Sequence, residues 1–182
     1  RDQTITVPGQ APQPQPGSNT IWLDPTTLAR LKAKAAATDP DWVTIKAKAD
    51  DFLTKSVAPF AVAGCTLTTI CYEWQGSGWY DAALYLGLAY QVTGTATYAA
   101  KVRELMAAMA LPAKSGNLAP ISTDHGYPSR TVGTAVAWGY AWTGSTWPAQ
   151  LKTDVFESLN KWHDWMKAEG YAADGICCAV GS

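Results

Sequence analysis

Charge is scarce in this chain. Lys, Arg, Asp and Glu together make up 16% of its 182 residues, with a net charge of −1, against about a quarter in typical soluble domains. The basic residues are dispersed, with no basic block, which excludes the electrostatic footprint of a nucleic-acid binder. Long apolar runs are also lacking. None approaches the ~20 residues a membrane span needs, so no membrane span is expected. The cysteines do not fall in the paired CxxC spacing of a zinc site. Gly76-Ser77-Gly78 is followed by no Lys-Ser/Thr, so it is not a phosphate loop. Neither a metal nor a cofactor is expected. No signal peptide is seen, and the chain begins at Arg1 rather than Met, which suits a processed mature chain or an excised fragment.

What the chain has in plenty is aromatic side chains: nine Trp and eight Tyr. Large rings fill gaps between helices, and they also line grooves where flat apolar faces stack on sugars. The four cysteines, Cys65, Cys71, Cys177 and Cys178, are disulfide candidates. Cys65 and Cys71 close a short local loop; the adjacent Cys177 and Cys178 pair with each other or reach back to the 65–71 segment. Disulfides imply an oxidising compartment, and so a secreted, extracellular or periplasmic setting.

Residues 1–20 form a separate unit, an extended Pro/Gln-rich arm or linker. Its prolines favour polyproline II, and Thr4–Val7 is suited to adding a strand to a neighbour. The remainder, 21–182, reads as helical hairpins. The clearest covers residues 80–110. A second follows over residues 129–170; aligning Thr93-Gly94 with Thr143-Gly144 places Tyr90 on Tyr140 and Leu86 on Val136. A weaker first copy covers residues 25–53. Repeated hairpins cannot bury their apolar faces alone and must stack on neighbours. The expected fold is all-α: three antiparallel helical hairpins forming an incomplete α/α toroid, solenoid-like in its stacking.

Asp24-Pro25 and Asp39-Pro40 are helix starts, an N-cap acceptor followed by proline. Leu28, Leu31 and Ala35 mark the first apolar stripe; Trp42, Ile45, Ala49 and Phe52 mark the second. Helix three is expected over 79–92, helix four from a capping Thr95, helix five from Pro128 or Ser129 to Gly144, and helix six over 147–169. Residues 56–78 read as an irregular loop with one short strand, and 112–127 as a second long loop, the usual place for function.

The wording of these hairpins resembles a known group. GLAYQVTGTATYAAKV (87–102) is similar to the Ala/Tyr helix, Thr-Gly turn and Tyr-Ala helix start of the α/α-toroid polysaccharide lyases, the alginate lyase and heparinase II/III-like enzymes. WLDPTTLARLKAKAAATDPDWVTIKAKAD (22–50) resembles their N-terminal hairpin. SRTVGTAVAWGYAW (129–142) resembles the helix that carries an arginine at its start and aromatics facing the groove. The resemblance covers residues 21–170 and implies the N-terminal half of the toroid. It also implies a secreted protein that binds acidic polysaccharide, whose full-length relatives cleave uronate polymers by β-elimination. The Asn-His segment those enzymes use is not in this sequence, which leaves catalysis by this chain open.

β-Elimination needs a base for the proton beside the sugar carboxylate, an acid for the leaving oxygen and a neutraliser for the carboxylate charge. Asp124-His125-Gly126-Tyr127-Pro128-Ser129-Arg130 gathers suitable groups at a loop–helix junction. Arg130 is assigned to a substrate carboxylate, Tyr127 to proton transfer and His125 to charge neutralisation. The competing reading has Asp124 and Ser129 capping the helix, Tyr127 packing and Arg130 pairing with an acid. Trp74, Trp79, Trp138 and Trp142 are the candidates for stacking on sugar. Glu73 and Asp81 form a possible glycosidase-like carboxylate pair, and His163 is read as packed or at the solvent edge. Two other functions fit the same residues. One is an extracellular structural or adhesive subunit that self-associates through its arm and exposed helical faces. The other is a non-catalytic glycan-binding module.

Overall fold

In the computed structural model of the protein, residues 21–60 and 66–170 are described; the arm 1–20, Cys65, Cys177 and Cys178 lie outside the described residues. The first two helices start as their Asp-Pro pairs direct. Asp24 accepts from the backbone N–H of Thr26 at 2.9 Å and of Thr27 at 3.0 Å, and opens α1, Pro25–Ala36. The Thr27 hydroxyl also donates to this carboxylate and is the main cause of its lowered pKa. Asp39 accepts from Asp41 N–H at 3.0 Å and opens α2, Pro40–Thr54. Lys34, near the end of α1, pairs with Asp39 at 2.9 Å and fixes the turn between the two. Leu28, Leu31 and Ala35 pack against the core but are only half-buried. On α2, Trp42 and Ala49 are buried.

The expected single strand is a pair. β1, Ser56–Val57, runs parallel to β2, Thr69–Ile70, with Ser56 opposite Thr69. Then come α3 (Ser77–Thr93), α4 (Ala96–Lys114), α5 (Ser129–Thr143) and α6 (Ala149–Ala168). Thr95 makes no side-chain cap on α4, contrary to expectation. The Thr93 hydroxyl, at the end of α3, accepts the Thr95 N–H at 3.1 Å and braces the turn between the two helices.

The two Thr-Gly turns also diverge. Gly94 takes φ 71° and ends α3 in a left-handed cap. Gly144 stays right-handed and leads into a 3-10 turn, Gly144–Thr146. Here Thr143 is buried; its hydroxyl donates to Gly139 O at 2.6 Å and accepts from Trp147 Nε1 at 2.8 Å.

Helices two apart in sequence pack together: α1 on α3, α3 on α5, α2 on α4, and α4 on α6. Further contacts join α2 to α3, α3 to α4, and α4 to α5. The main core holds Trp79, Leu86, Val102, Leu105, Met106, Met109, Val132 and Val136. A second cluster gathers Leu23, Trp138 and Trp142 with Tyr80, Leu84 and Leu88. Thus α3 is apolar on both sides, as a helix buried between layers must be. Ser158 links α6 to α4 through Ala110 O at 2.7 Å, and Lys161 caps the end of α4 through Ala113 O and Lys114 O. No helix among the described residues is long and apolar enough to cross a membrane.

Candidate functional site

The polar residues converge where α3 and α5 begin. Each helix is preceded by a 3-10 turn, Trp74–Gly76 and Asp124–Gly126. Backbone strain is concentrated there. Glu73, Gln75, Asp124 and His125 all have positive φ, between 46° and 54°, a conformation costing on the order of 1–3 kcal/mol for each such residue.

Side-chain bonds hold this geometry across the chain. Gln75 Nε2 donates to Asp124 Oδ2 at 2.6 Å, and Arg130 Nη2 donates to Gln75 Oε1 at 2.6 Å. The Thr131 hydroxyl donates to the Gln75 carbonyl. Arg130 Nε reaches Tyr127 O at 3.3 Å, and its guanidinium lies 5.2 Å from the Tyr127 ring centre. His125, Asp124 and Arg130 are exposed, whereas Tyr127 is half-buried. The helix-capping alternative for Asp124 and Ser129 does not hold: α5 has Pro128 at its N-cap and no side-chain cap bond. Asp124 turns instead to Gln75. Sequence reasoning does not pick out Gln75 as a site residue. Its signal is the repeat itself, because Gln75-Gly76 and His125-Gly126 keep the same offset as Thr93-Gly94 and Thr143-Gly144.

The four candidate tryptophans separate sharply. Trp74 is 74% exposed and adjoins Gln75. Trp79, Trp138 and Trp142 are 0%, 1% and 3% exposed, so their assignment to an open groove is corrected to packing. Trp79 sits in the main core. Trp138 and Trp142 stack at 5.6 Å and 7°, with Tyr80 4.7 Å from Trp138. The segment Ile21–Leu23 covers them: Trp22 meets Trp138 edge-on at 5.0 Å, and Trp142 Nε1 donates to Ile21 O at 3.0 Å.

Glu73 and Asp81 do share a surrounding. Both line a cavity of about 280 Å³ with Lys48, Asp51, Lys55 and Tyr85. Lys55 is paired there with Asp51 at 2.6 Å. Cys71 lines the same cavity and is disulfide-bonded, with a partner outside the described residues. His163 is exposed on α6, 3.4 Å from Asp164. Among the described residues, no group of three or more His, Cys, Asp or Glu is placed to hold a metal ion. Comparison with protein-family models, with curated proteins and with solved structures finds no match to this chain.

Proposed function

We propose that this chain is part of a secreted, polysaccharide-lyase-like protein that binds acidic glycans where α3 and α5 begin. One observation carries the reading: exposed Trp74 and exposed Arg130 stand at these two helix starts, joined through Gln75. An indole offers a flat apolar face to a sugar ring. A guanidinium offers paired N–H donors matched to a carboxylate. Together they suit a uronate unit better than a neutral sugar. His125 and Tyr127 lie at the start of α5 beside Arg130, where β-elimination chemistry would need a charge neutraliser and a proton carrier.

The helix pairing supports the rest. Helices α1, α3 and α5 pack in succession, as do α2, α4 and α6, and two such rows suit hairpins of an incomplete α/α toroid. The disulfide at Cys71 supports an oxidising compartment.

The test is binding by the full chain to uronate oligosaccharides, with neutral glucose oligomers as control, followed by absorbance of the unsaturated uronate product. Binding that prefers the uronates, weakens with salt and drops in Arg130→Ala supports the reading. Equal or absent binding to both overturns it. Product absorbance decides between a lyase and a non-catalytic glycan binder.

A further inference from the structure

We infer that Trp22 is a second sugar-stacking platform, extending the glycan site from the two helix starts along α5. This rests on the acidic-glycan reading above and adds a subsite to it.

Trp22 lies just ahead of α1, in a stretch where the sequence points to no site residue. The residue is 68% exposed, among the most exposed large apolar residues described. Yet its surroundings are fixed. Leu23, next in the chain, is buried against Trp138 and Trp142. The carbonyl of Ile21, before it, is held by Trp142 Nε1 at 3.0 Å. The Trp22 ring itself rests edge-on against Trp138 at 5.0 Å and 61°. Its backbone takes φ 61°, a conformation that non-glycine residues rarely adopt. Burial alone would turn the indole inward and leave the backbone relaxed. Here the flanking residues are anchored, the backbone is strained and the ring is presented to solvent. A ring held this way loses little freedom on binding a ligand, which is what a preorganised platform requires.

Position links it to the first site. Trp138, on which Trp22 rests, is on the same helix as Arg130, eight residues on, or about 12 Å along the axis. On this inference the oligosaccharide runs along α5, turning about 80° round the helix between Arg130 and Trp138. Among the described residues that follow it in the chain, exposed Asp24 and Thr26 set polar groups near the ring, with exposed Ile21 and Pro25 on either side. An exposed ring with polar neighbours suits a pyranose, which has an apolar face and a hydroxyl rim.

The experiment compares wild type, Trp22→Ala, Trp22→Phe and Arg130→Ala for binding to uronate oligosaccharides of increasing length, by calorimetry and tryptophan fluorescence. Affinity for the longer oligomers is expected to fall ~tenfold in Trp22→Ala and to recover most of the way in Trp22→Phe. The fluorescence change on binding should shrink in Trp22→Phe while affinity holds, a readout independent of how well the alanine variant folds. Unchanged affinity in Trp22→Ala, with Arg130→Ala still impaired, removes the platform and leaves the first site standing. No binding by wild type removes both. Sedimentation showing self-association that Trp22→Ala abolishes, with glycan affinity intact, reassigns the patch to a second copy of the chain and overturns the proposal.

Discussion

Gln75 and His125 adopt the same left-handed backbone conformation at equivalent points of the repeat, φ 47° and ψ 28° in one, φ 54° and ψ 18° in the other. Each is followed by a glycine near φ 90° and then by an apolar helix, α3 or α5. The repeat is therefore kept where helices begin and lost where they end, since Gly94 and Gly144 make different turns. The two lead-in turns also touch. Gln75 ahead of α3 bonds Asp124 and Arg130 at the start of α5, so one repeated turn has become two halves of a single polar cluster.

The glycines of this repeat should rank by what surrounds them. Gly76 has φ 89°, and a Cβ there would meet Val132 at 2.8 Å and Thr131 at 2.9 Å. Gly76→Ala combines strain with overpacking and is expected to cost about 2–4 kcal/mol. Gly94, at φ 71° with open space around it, should cost only about 1 kcal/mol as Ala. Gly133 lies inside α5 with nothing within 4 Å of its Cβ position. Gly133→Ala should raise stability by about 0.5–1 kcal/mol. Urea unfolding of the three variants checks the order; a Gly76→Ala protein as stable as wild type would refute the account of the turn that leads into α3.

The helix starts are readable in the sequence because they depend on local chemistry. Asp24-Pro25 and Asp39-Pro40 carry an acceptor and a preset φ within two residues, and both open helices where expected. The helical class follows from periodicity in the same way. The cluster at His125, Tyr127 and Arg130 is visible as a dense run of functional groups. Gln75 is not, because its partners Asp124 and Arg130 are 49 and 55 residues away, and only packing of α3 on α5 brings them together. The tryptophans mislead for another reason. A ring at helical spacing looks identical whether it faces a core or a groove. Trp138 and Trp142 are buried because Ile21–Leu23 folds over them, a contact that helical periodicity does not encode.

Two buried indoles should respond differently to the same change. Trp79 Nε1 has no hydrogen-bond partner among the described residues, whereas Trp142 Nε1 holds Ile21 O. Trp79→Phe loses packing but also removes a buried unsatisfied donor, a relief of about 1–3 kcal/mol that offsets part of the loss. Trp142→Phe loses packing and a made bond, and releases the segment beneath Trp22. Trp142→Phe is expected to be the less stable protein by about 1–2 kcal/mol in chemical denaturation. It should also be cut faster by protease near residue 21.

The α4–α6 contact should make stability depend on pH. The Lys114 ammonium, helped by Gln150, holds the Asp154 carboxyl below its usual range, and Asp154 in turn raises Lys114. A lowered carboxyl pKa stabilises the fold above the unfolded value and loses that effect as pH falls through the folded value. The raised lysine does the reverse: its contribution is complete below its unfolded value and disappears as pH rises through the folded one. Asp154→Asn should therefore unfold at lower urea than wild type at neutral pH and converge with it in acid. A difference that persists unchanged into strong acid would show that the side chain acts by packing alone.

Gln75 offers the sharpest test of the cluster, because its amide satisfies a cation and an anion at once. Its oxygen accepts from Arg130 and its nitrogen donates to Asp124, both at 2.6 Å. Gln75→Ala frees both and lets Arg130 swing, so uronate affinity should fall ~3–10-fold through lost preorganisation. Gln75→Glu keeps the acceptor for Arg130 but removes the donor and sets a second carboxylate against Asp124. That new charge both occupies the guanidinium and repels an anionic sugar, so Gln75→Glu should bind more weakly than Gln75→Ala at low salt. Raising the salt should narrow the gap, since exposed charges are screened over about 10 Å at 0.1 M. Titration of both variants at two ionic strengths reads this directly; if Gln75→Glu binds as well as wild type, the guanidinium is not where the glycan's carboxylate goes.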